Sequence, residues 1–284
     1  MTRQAAVSAT KPVERVGRLG RWARMGRYWL TLGSHHLPPN RSRSLFVLGH
    51  PRTGTNWCCR IMSQYFGLPI YQVGERAWPD FRPAVLHLHR FAVVPQRTVY
   101  MIRDGRDVAV SFYHKAANSL PRRNPAVFAR MQSFCPREAT HDNVRENLPG
   151  FIRFLFEANR SSTIPYDAHV RLARQRGLFT IRYEDLQRKG PETVARVVEH
   201  LQGAPADPER VRETLEATSF ERRTGRQRGQ EDLSAGRSLR KGIIGDWANV
   251  FTREAGEVFD AYAGEVLVEL GYERDRSWVG KLAD

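Results

Sequence analysis

Residues 48–57, LGHPRTGTNW, set Gly49 and Gly54 at the spacing of the first half of a phosphate loop, G-x-x-x-x-G-K-[ST]. The positions that should carry lysine and a hydroxyl read Thr55 and Asn56, and a cation comes earlier, at Arg52. A glycine turn joining a strand to a helix aims several backbone N–H groups at one spot, and the helix dipole adds to that field. Such a loop can hold an anionic group. It lacks the lysine that reaches terminal phosphates and the hydroxyl that holds magnesium, so it is badly equipped for metal-assisted NTP hydrolysis. The plain alternative is a tight turn bearing a surface arginine. A second candidate is VLHLHR, 85–90. Strand alternation puts His87 and His89 on one face, and an imidazole exchanges a proton near neutral pH. The alternative there is a pair of strand-end histidines without chemistry.

These groups need elements to position them. Ser44–Leu48 is a short apolar run, and a helical stretch over 54–66 follows the glycine turn. Ala84–His89, Thr98–Ile102 and Leu178–Arg182 read as further strands. Gly105–Ala117 reads as a helix whose Asp104 and Asp107 resemble an N-cap arrangement. Helical patterns recur at 191–202, 207–217 and 253–270. Strands alternating with helices predict an α/β fold with a central parallel sheet flanked by helices on both faces. Residues 118–148, rich in Pro, Arg and Asn, read as an insertion or lid, and 221–240 as a second loop.

Composition bounds the rest. The 284 residues carry a formal charge of +15, of which residues 1–43 hold nine Lys/Arg against Glu14 alone. That N-terminal segment, 1–43, precedes a single domain over 44–284. Its arginines at 15, 18, 21, 24 and 27 accompany Leu19, Trp22, Met25 and Trp29 at near-helical spacing. The pattern reads as a surface helix packing its tryptophans, with a membrane-surface helix or targeting peptide as the alternative. His35–Asn40 reads as its terminating linker. No apolar run approaches the roughly 20 residues of a membrane-spanning helix. Cys58, Cys59 and Cys135 form neither a disulfide framework nor zinc spacing, which favours a reducing, cytoplasmic setting.

Two further stretches sharpen the reading: TVYMIRDGRDVAVSFYHK, 98–115, and LRKGIIGDWANVFT, 239–252. Together with the phosphate loop they resemble the signatures of cytosolic-type sulfotransferases, which use 3′-phosphoadenosine 5′-phosphosulfate (PAPS). That family has a Pro-Lys-Ser-Gly-Thr-Thr-Trp loop, an Arg followed eight residues later by Ser, and a late R-K-G-x-x-G-D-W-x-x-x-F-T. All three occur here in order, and the similarity spans roughly 44–272.

The resemblance implies roles. Arg52, Thr53, Gly54, Thr55 and Asn56 match the cradle of the 5′-phosphosulfate, and Trp57 the tryptophan that stacks on adenine. Arg103 and Ser111 match the grip on the 3′-phosphate, which an arginine fork and a hydroxyl suit physically. Tyr183 in RYED and Thr218 with Phe220 in TSF match adenine-side positions. Arg240, Lys241 and Gly242 match the late loop closing on the 3′-phosphate. Aligning His-Leu-His with the family's Lys-x-His makes His89 the catalytic base and puts His87 at a lysine position. His114 reads as structural. Arg52 stands where the family has lysine, and it reads as an electrostatic clamp because arginine stays protonated.

The expected reaction is sulfuryl transfer from PAPS to a hydroxyl or amine, leaving PAP, with no metal required. A small-molecule, glycan or lipid hydroxyl is the expected acceptor; nucleic acid is not an expected partner, and peripheral membrane contact through 1–38 is a further expectation. Loops 70–83, 118–148 and 225–239 should shape the acceptor pocket, with Trp78, Phe81 and Phe134 as an aromatic wall. The rival readings are a P-loop kinase, which predicts magnesium and ATP dependence, and a non-catalytic polyanion- or membrane-binding protein.

Overall fold

The structure is a computed structural model and describes residues 26, 29–30, 32–38, 40–72, 82–159, 164–232 and 239–284. In chain order its main elements are β1 (Leu45–Gly49), α1 (Thr55–Phe66), β2 (Ile70–Gln72), β3 (Val85–Leu88), β4 (Thr98–Ile102), α2 (Gly105–Arg123), α3 (Pro125–Gln132), α4 (Val144–Arg153), α5 (Tyr166–Gln175), β5 (Phe179–Arg182), α6 (Tyr183–Arg188), α7 (Gly190–Gln202), α8 (Pro208–Ala217), α9 (Phe220–Thr224) and α10 (Arg253–Glu269).

All five strands run parallel in the order β2-β3-β1-β4-β5. A parallel sheet is covered on both faces, so its central strands read as unbroken apolar runs rather than alternating ones. Every residue of β1 and β4 is buried. Phe46, Leu48, Tyr100 and Ile102 face one core, built with α2, α4, α5 and α10. Leu45, Val47, Val99 and Met101 face the other, built with α1, α6, α7 and α8.

Strand order positions the site. After β1 the chain builds β2 and β3 on one side, then crosses to β4 on the other. The crevice at such a switch point, beyond the carboxyl ends of the strands, is where ligands bind in open α/β sheets. Gly49 pairs with Met101, and Leu48 with Leu88. The phosphate loop, His89 and Arg103 therefore leave the sheet at the same end, side by side.

Several expectations need correction. Residues 118–148 are largely helical rather than a loop: α2 runs on to Arg123, and α3 and α4 follow. Asn124 ends α2 and caps α3 by accepting from the Val127 N–H, with Pro125 at the first helical position. Met131, Ala139, Val144 and Leu148 of this stretch are buried in the core. Pro121, Pro125 and Arg122, Arg123, Arg130 and Arg145 sit inside or at the ends of these helices, while Pro136 and Arg137 lie in the connection between α3 and α4. His35 does not lie in a linker: residues 32–36 are helical, and buried His35 shares a 2.8 Å hydrogen bond with Ser44. Trp29 is 54% exposed. Arginines 15, 18, 21, 24 and 27, together with Leu19, Trp22 and Met25, lie outside the described residues, as do Trp78 and Phe81. No helix among the described residues is long and apolar enough to cross a membrane.

Candidate active site

The loop after β1 turns sharply. Arg52 sits at φ 78°, the only non-glycine at positive φ among the described residues. Such a conformation costs on the order of 1–3 kcal/mol and persists where its surroundings over-determine it. Here the Thr53 N–H and hydroxyl both donate to the His50 carbonyl, at 3.2 and 2.8 Å. The Arg52 Nε donates to the Ser111 hydroxyl at 3.0 Å. Gly54 caps α1 at φ 95°, and a Cβ there would stand 2.7 Å from Tyr183 Cδ2. The first intrahelical bonds come from the Trp57 and Cys58 N–H groups to Gly54 O, so the amides of Thr55 and Asn56 precede the helical ladder.

The loop opens on a cleft of about 660 Å³. Arg52, Gly54, Thr55, Asn56, Trp57, His89, Arg103, Ser111, Tyr183, Thr218, Phe220, Arg240, Lys241 and Gly242 all line it. Of the expected site residues only Thr53 does not; it is buried beneath the turn and holds its shape. Nine cationic side chains line the cleft against two carboxylates, Asp107 and Asp246. A cleft with that balance concentrates multiply charged anions.

One end is built around Arg103. Its guanidinium bonds Asp107 at 3.2 Å and the Ile243 carbonyl at 3.1 Å, and lies 4.4 Å over the Tyr183 ring. Burial works against its charge, but Asp107, Tyr183 and Glu184 outweigh that and hold its pKa above the ordinary arginine value. Arg103 Nε and Trp57 Nε1 are buried donors with no partner among the described residues. A bound phosphate and a polar ring would suit two such donors.

The G-D-W of the late stretch now has a physical account. The Gly245 and Trp247 N–H groups donate to Asp107 at 2.9 and 3.0 Å, tying the loop to the start of α2. Asp246 pairs with Arg240 and, at 3.1 Å, with Lys241; Glu231 also meets Arg240. The Trp247 ring lies 3.7 Å under Arg106, which is fixed by Asp104. Asp104 caps α2 as expected, accepting from the Arg106 N–H, whereas Asp107 is committed to the late loop. Gly242 has φ 67°, and a Cβ there would lie 2.6 Å from the Phe220 ring.

The histidine pair sits at the end of β3 with ring centroids 4.7 Å apart. His89 Nδ1 is 2.7 Å from the Gly49 carbonyl. A carbonyl only accepts, so Nδ1 carries the proton and Nε2 holds the lone pair. Burial lowers the His89 pKa and Arg52 adds to this, against the Gly49 bond, so the ring is neutral at pH 7. His87 bonds the Thr55 hydroxyl at 2.7 Å, and burial pushes its pKa down to about 3. It adds no positive charge and does not line the cleft. His114 is buried against His141 and does not line the cleft either.

Other side chains here carried no local signal. His169 Nε2 donates to the His89 carbonyl at 3.3 Å, while its Nδ1 accepts from Tyr100 at 2.9 Å. Arg60, Lys115, Arg123, Arg223 and Arg228 all line the cleft. Of the expected aromatic wall, Phe134 packs on Phe154 at the core instead, because Gly150 lets its backbone come close. From the expected acceptor loops, Arg123, Arg228 and Leu239 do reach the cleft.

A model of the sulfotransferase domain matches residues 79–271. The chain belongs to the sulfotransferase family. It is 25% identical to sulfotransferase 2B1 of Mus musculus over 262 residues, covering 80% of this chain and 72% of that one. Human sulfotransferase 2A1 is 22% identical over 267 residues, covering 82% and 87%. Among solved structures, mouse sulfotransferase SULT7A1 complexed with PAP superposes with TM-score 0.58 at 17% identity, over 88% of this chain and 95% of that one. Retinol dehydratase in complex with androsterone and inactive cofactor PAP gives TM-score 0.56 at 17% identity, over 85% of each chain. The expected α/β fold with its all-parallel sheet holds, and the enzyme is a sulfotransferase.

Proposed function

We propose that the cleft takes PAPS and that the enzyme transfers its sulfuryl group to a hydroxyl or amine of a small-molecule acceptor. The supporting observation is the convergence, at one switch-point cleft, of the strained Arg52 turn, the buried Arg103 whose Nε has no partner among the described residues, and a neutral His89 whose proton is fixed on Nδ1. The donor supplies the sulfuryl group and a phosphate leaving group that scarcely needs protonation, since its second pKa is near 6.

The protein's residues do the rest. His89 Nε2 takes the acceptor proton as the oxygen or nitrogen attacks, and the Gly49 carbonyl stabilises the imidazolium through Nδ1–H. His169 fixes the backbone on which His89 stands. Arg52 meets the charge that builds on the bridging oxygen. Burial and the neighbouring Arg103 and Arg240 lower its pKa only to about 10, so it stays a cation at neutral pH and donates no proton. Thr55 and Asn56 offer backbone N–H groups to the same anion. Trp57, Tyr183, Thr218 and Phe220 form the side that receives adenine, and Arg103, Ser111, Arg240, Lys241 and Gly242 receive the 3′-phosphate. Arg240 and Lys241 are held by Asp246 and Glu231 in this structure and exchange those carboxylates for the phosphate.

The test is transfer of radiolabelled sulfate from PAPS to an acceptor extract by wild type and His89→Ala. The variant should bind PAP normally and lose transfer by at least about 10²-fold, the size of a general-base contribution. The acid limb of wild-type kcat/KM should fall below the ordinary histidine value of 6.5. Full transfer by the variant would refute the assignment of the base.

A further inference from the structure

Beyond Ser111, α2 continues along the cleft. Phe112, Lys115 and Arg123 line it after Ser111. At about 1.5 Å per residue, Lys115 lies roughly 6 Å further along the helix axis than Ser111. Toward the opposite wall most cations already have acidic partners: Arg103 has Asp107, Arg240 and Lys241 have Asp246 and Glu231, and Arg228 has Glu221. Lys115 and Arg123 have none among the described residues. Arg60 and Arg223 also have none, but they stand beside Trp57 and Phe220, on α1 and α9 at the other end.

Lys115 is an awkward residue to leave this way. It is half-buried, and the charges acting on it, Arg52 and Arg123, are both positive. Burial together with these neighbours lowers its pKa. A partly desolvated ammonium near two guanidinium groups is relieved by an anion. The anions of the donor are served by the residues described above, from Arg52 to Asn56 and from Arg103 to Gly242. The stretch of α2 past Ser111 adjoins Arg52, the group set at the reacting centre with His89.

We infer that the acceptor is itself an anion: a hydroxyl compound bearing a carboxylate or phosphate group, held by Lys115 and Arg123 while its hydroxyl faces His89. This rests on the sulfotransfer reading of the cleft. It makes Lys115 and Arg123 specificity residues. It also gives the cleft a reason to carry more positive charge than one nucleotide needs.

The experiment uses matched acceptors, hydroxybenzoate, hydroxyphenylpropionate and a hydroxy fatty acid, each beside its uncharged methyl ester, with PAPS as donor. PAP binding is measured on the same preparations by calorimetry. Wild type should favour the carboxylate over the ester in kcat/KM by about tenfold, the size of one charge-assisted contact. Lys115→Met should bring the ratio near one, and Lys115→Glu should invert it. A wild-type ratio at or below one, no turnover of any carboxylate by a protein that binds PAP, or a ratio unchanged in Lys115→Met overturns the anionic acceptor and leaves the donor reading standing. Absence of PAP binding by wild type removes the donor reading itself.

Discussion

Asp107 is the clearest place to test how the late loop is held. Its carboxylate accepts from the Gly245 N–H, the Trp247 N–H and Arg103, and the residue is 2% exposed. Asp107→Asn keeps the shape but turns one oxygen into an NH₂. Whichever way the amide faces, that NH₂ meets either Trp247 N–H or Gly245 N–H with Arg103, a donor against donors. At least one charge-assisted bond is lost, worth about 1.5–3 kcal/mol, and Arg103 loses its closest counter-charge. The total should be roughly 3 kcal/mol, short of the 3–5 that removing a buried partner outright costs. For a chain of this size that is a fall in Tm of about 6–12 °C. The loop opens locally as well, so the Gly245 and Trp247 amides should exchange with deuterium at least about tenfold faster. PAP affinity is a poorer readout, because removing a negative charge also favours an anion in the cleft. The reasoning is refuted by an Asp107→Asn protein with wild-type Tm and wild-type exchange at Gly245 and Trp247.

Further outcomes follow from the same geometry. Arg52→Lys should keep sulfate transfer within about tenfold of wild type, while Arg52→Ala should lose roughly 10²-fold or more, the scale of a lost transition-state charge contact. Equal loss in both would replace the clamp by a requirement for the planar guanidinium, which donates to Ser111 through Nε. Stability should fall on acidification well before carboxylates titrate. Burial pushes the pKa of His50 down to about 3 and that of His169 to about 4. Each folded pKa is depressed below the ordinary 6.5, so below pH 6.5 the unfolded chain binds the extra protons. The stabilisation is complete above 6.5 and is lost as pH falls, by on the order of 2 kcal/mol per histidine at pH 5. Denaturant midpoints at pH 7 and pH 5 measure it; equal midpoints would contradict it.

Much of the site was legible because its parts are contiguous. The Gly49–Trp57 turn, Arg103 with Ser111 two helical turns on, and the Arg240–Trp247 stretch each carry a local pattern, and β1 and β4 are apolar runs with sharp ends. What the sequence hid depends on distant pairings. Asp107 looked like part of a cap, but two of its partners, Gly245 and Trp247, lie 138 and 140 residues away. His169 meets His89 across 80 residues and sits in a helix whose pattern was not recognised. β2 is three residues long, too short for a periodic signal. The stretch 118–148 looked loop-like because proline and asparagine mark helix ends as readily as loops, and here Asn124–Pro125 separates two helices. Lys115 falls within the 98–115 stretch, but its meaning lies in the lack of a carboxylate partner among the described residues rather than in the residue itself.

The account rests on one cleft clasping a doubly anionic adenine nucleotide through Arg52 and Arg103. Calorimetric titration of the full chain with PAP, in buffer containing a metal chelator, measures this directly. Saturable binding at one site per chain, weakened at least tenfold in Arg103→Met, is the result expected. No heat with PAP, together with metal-dependent binding of ATP, would contradict it.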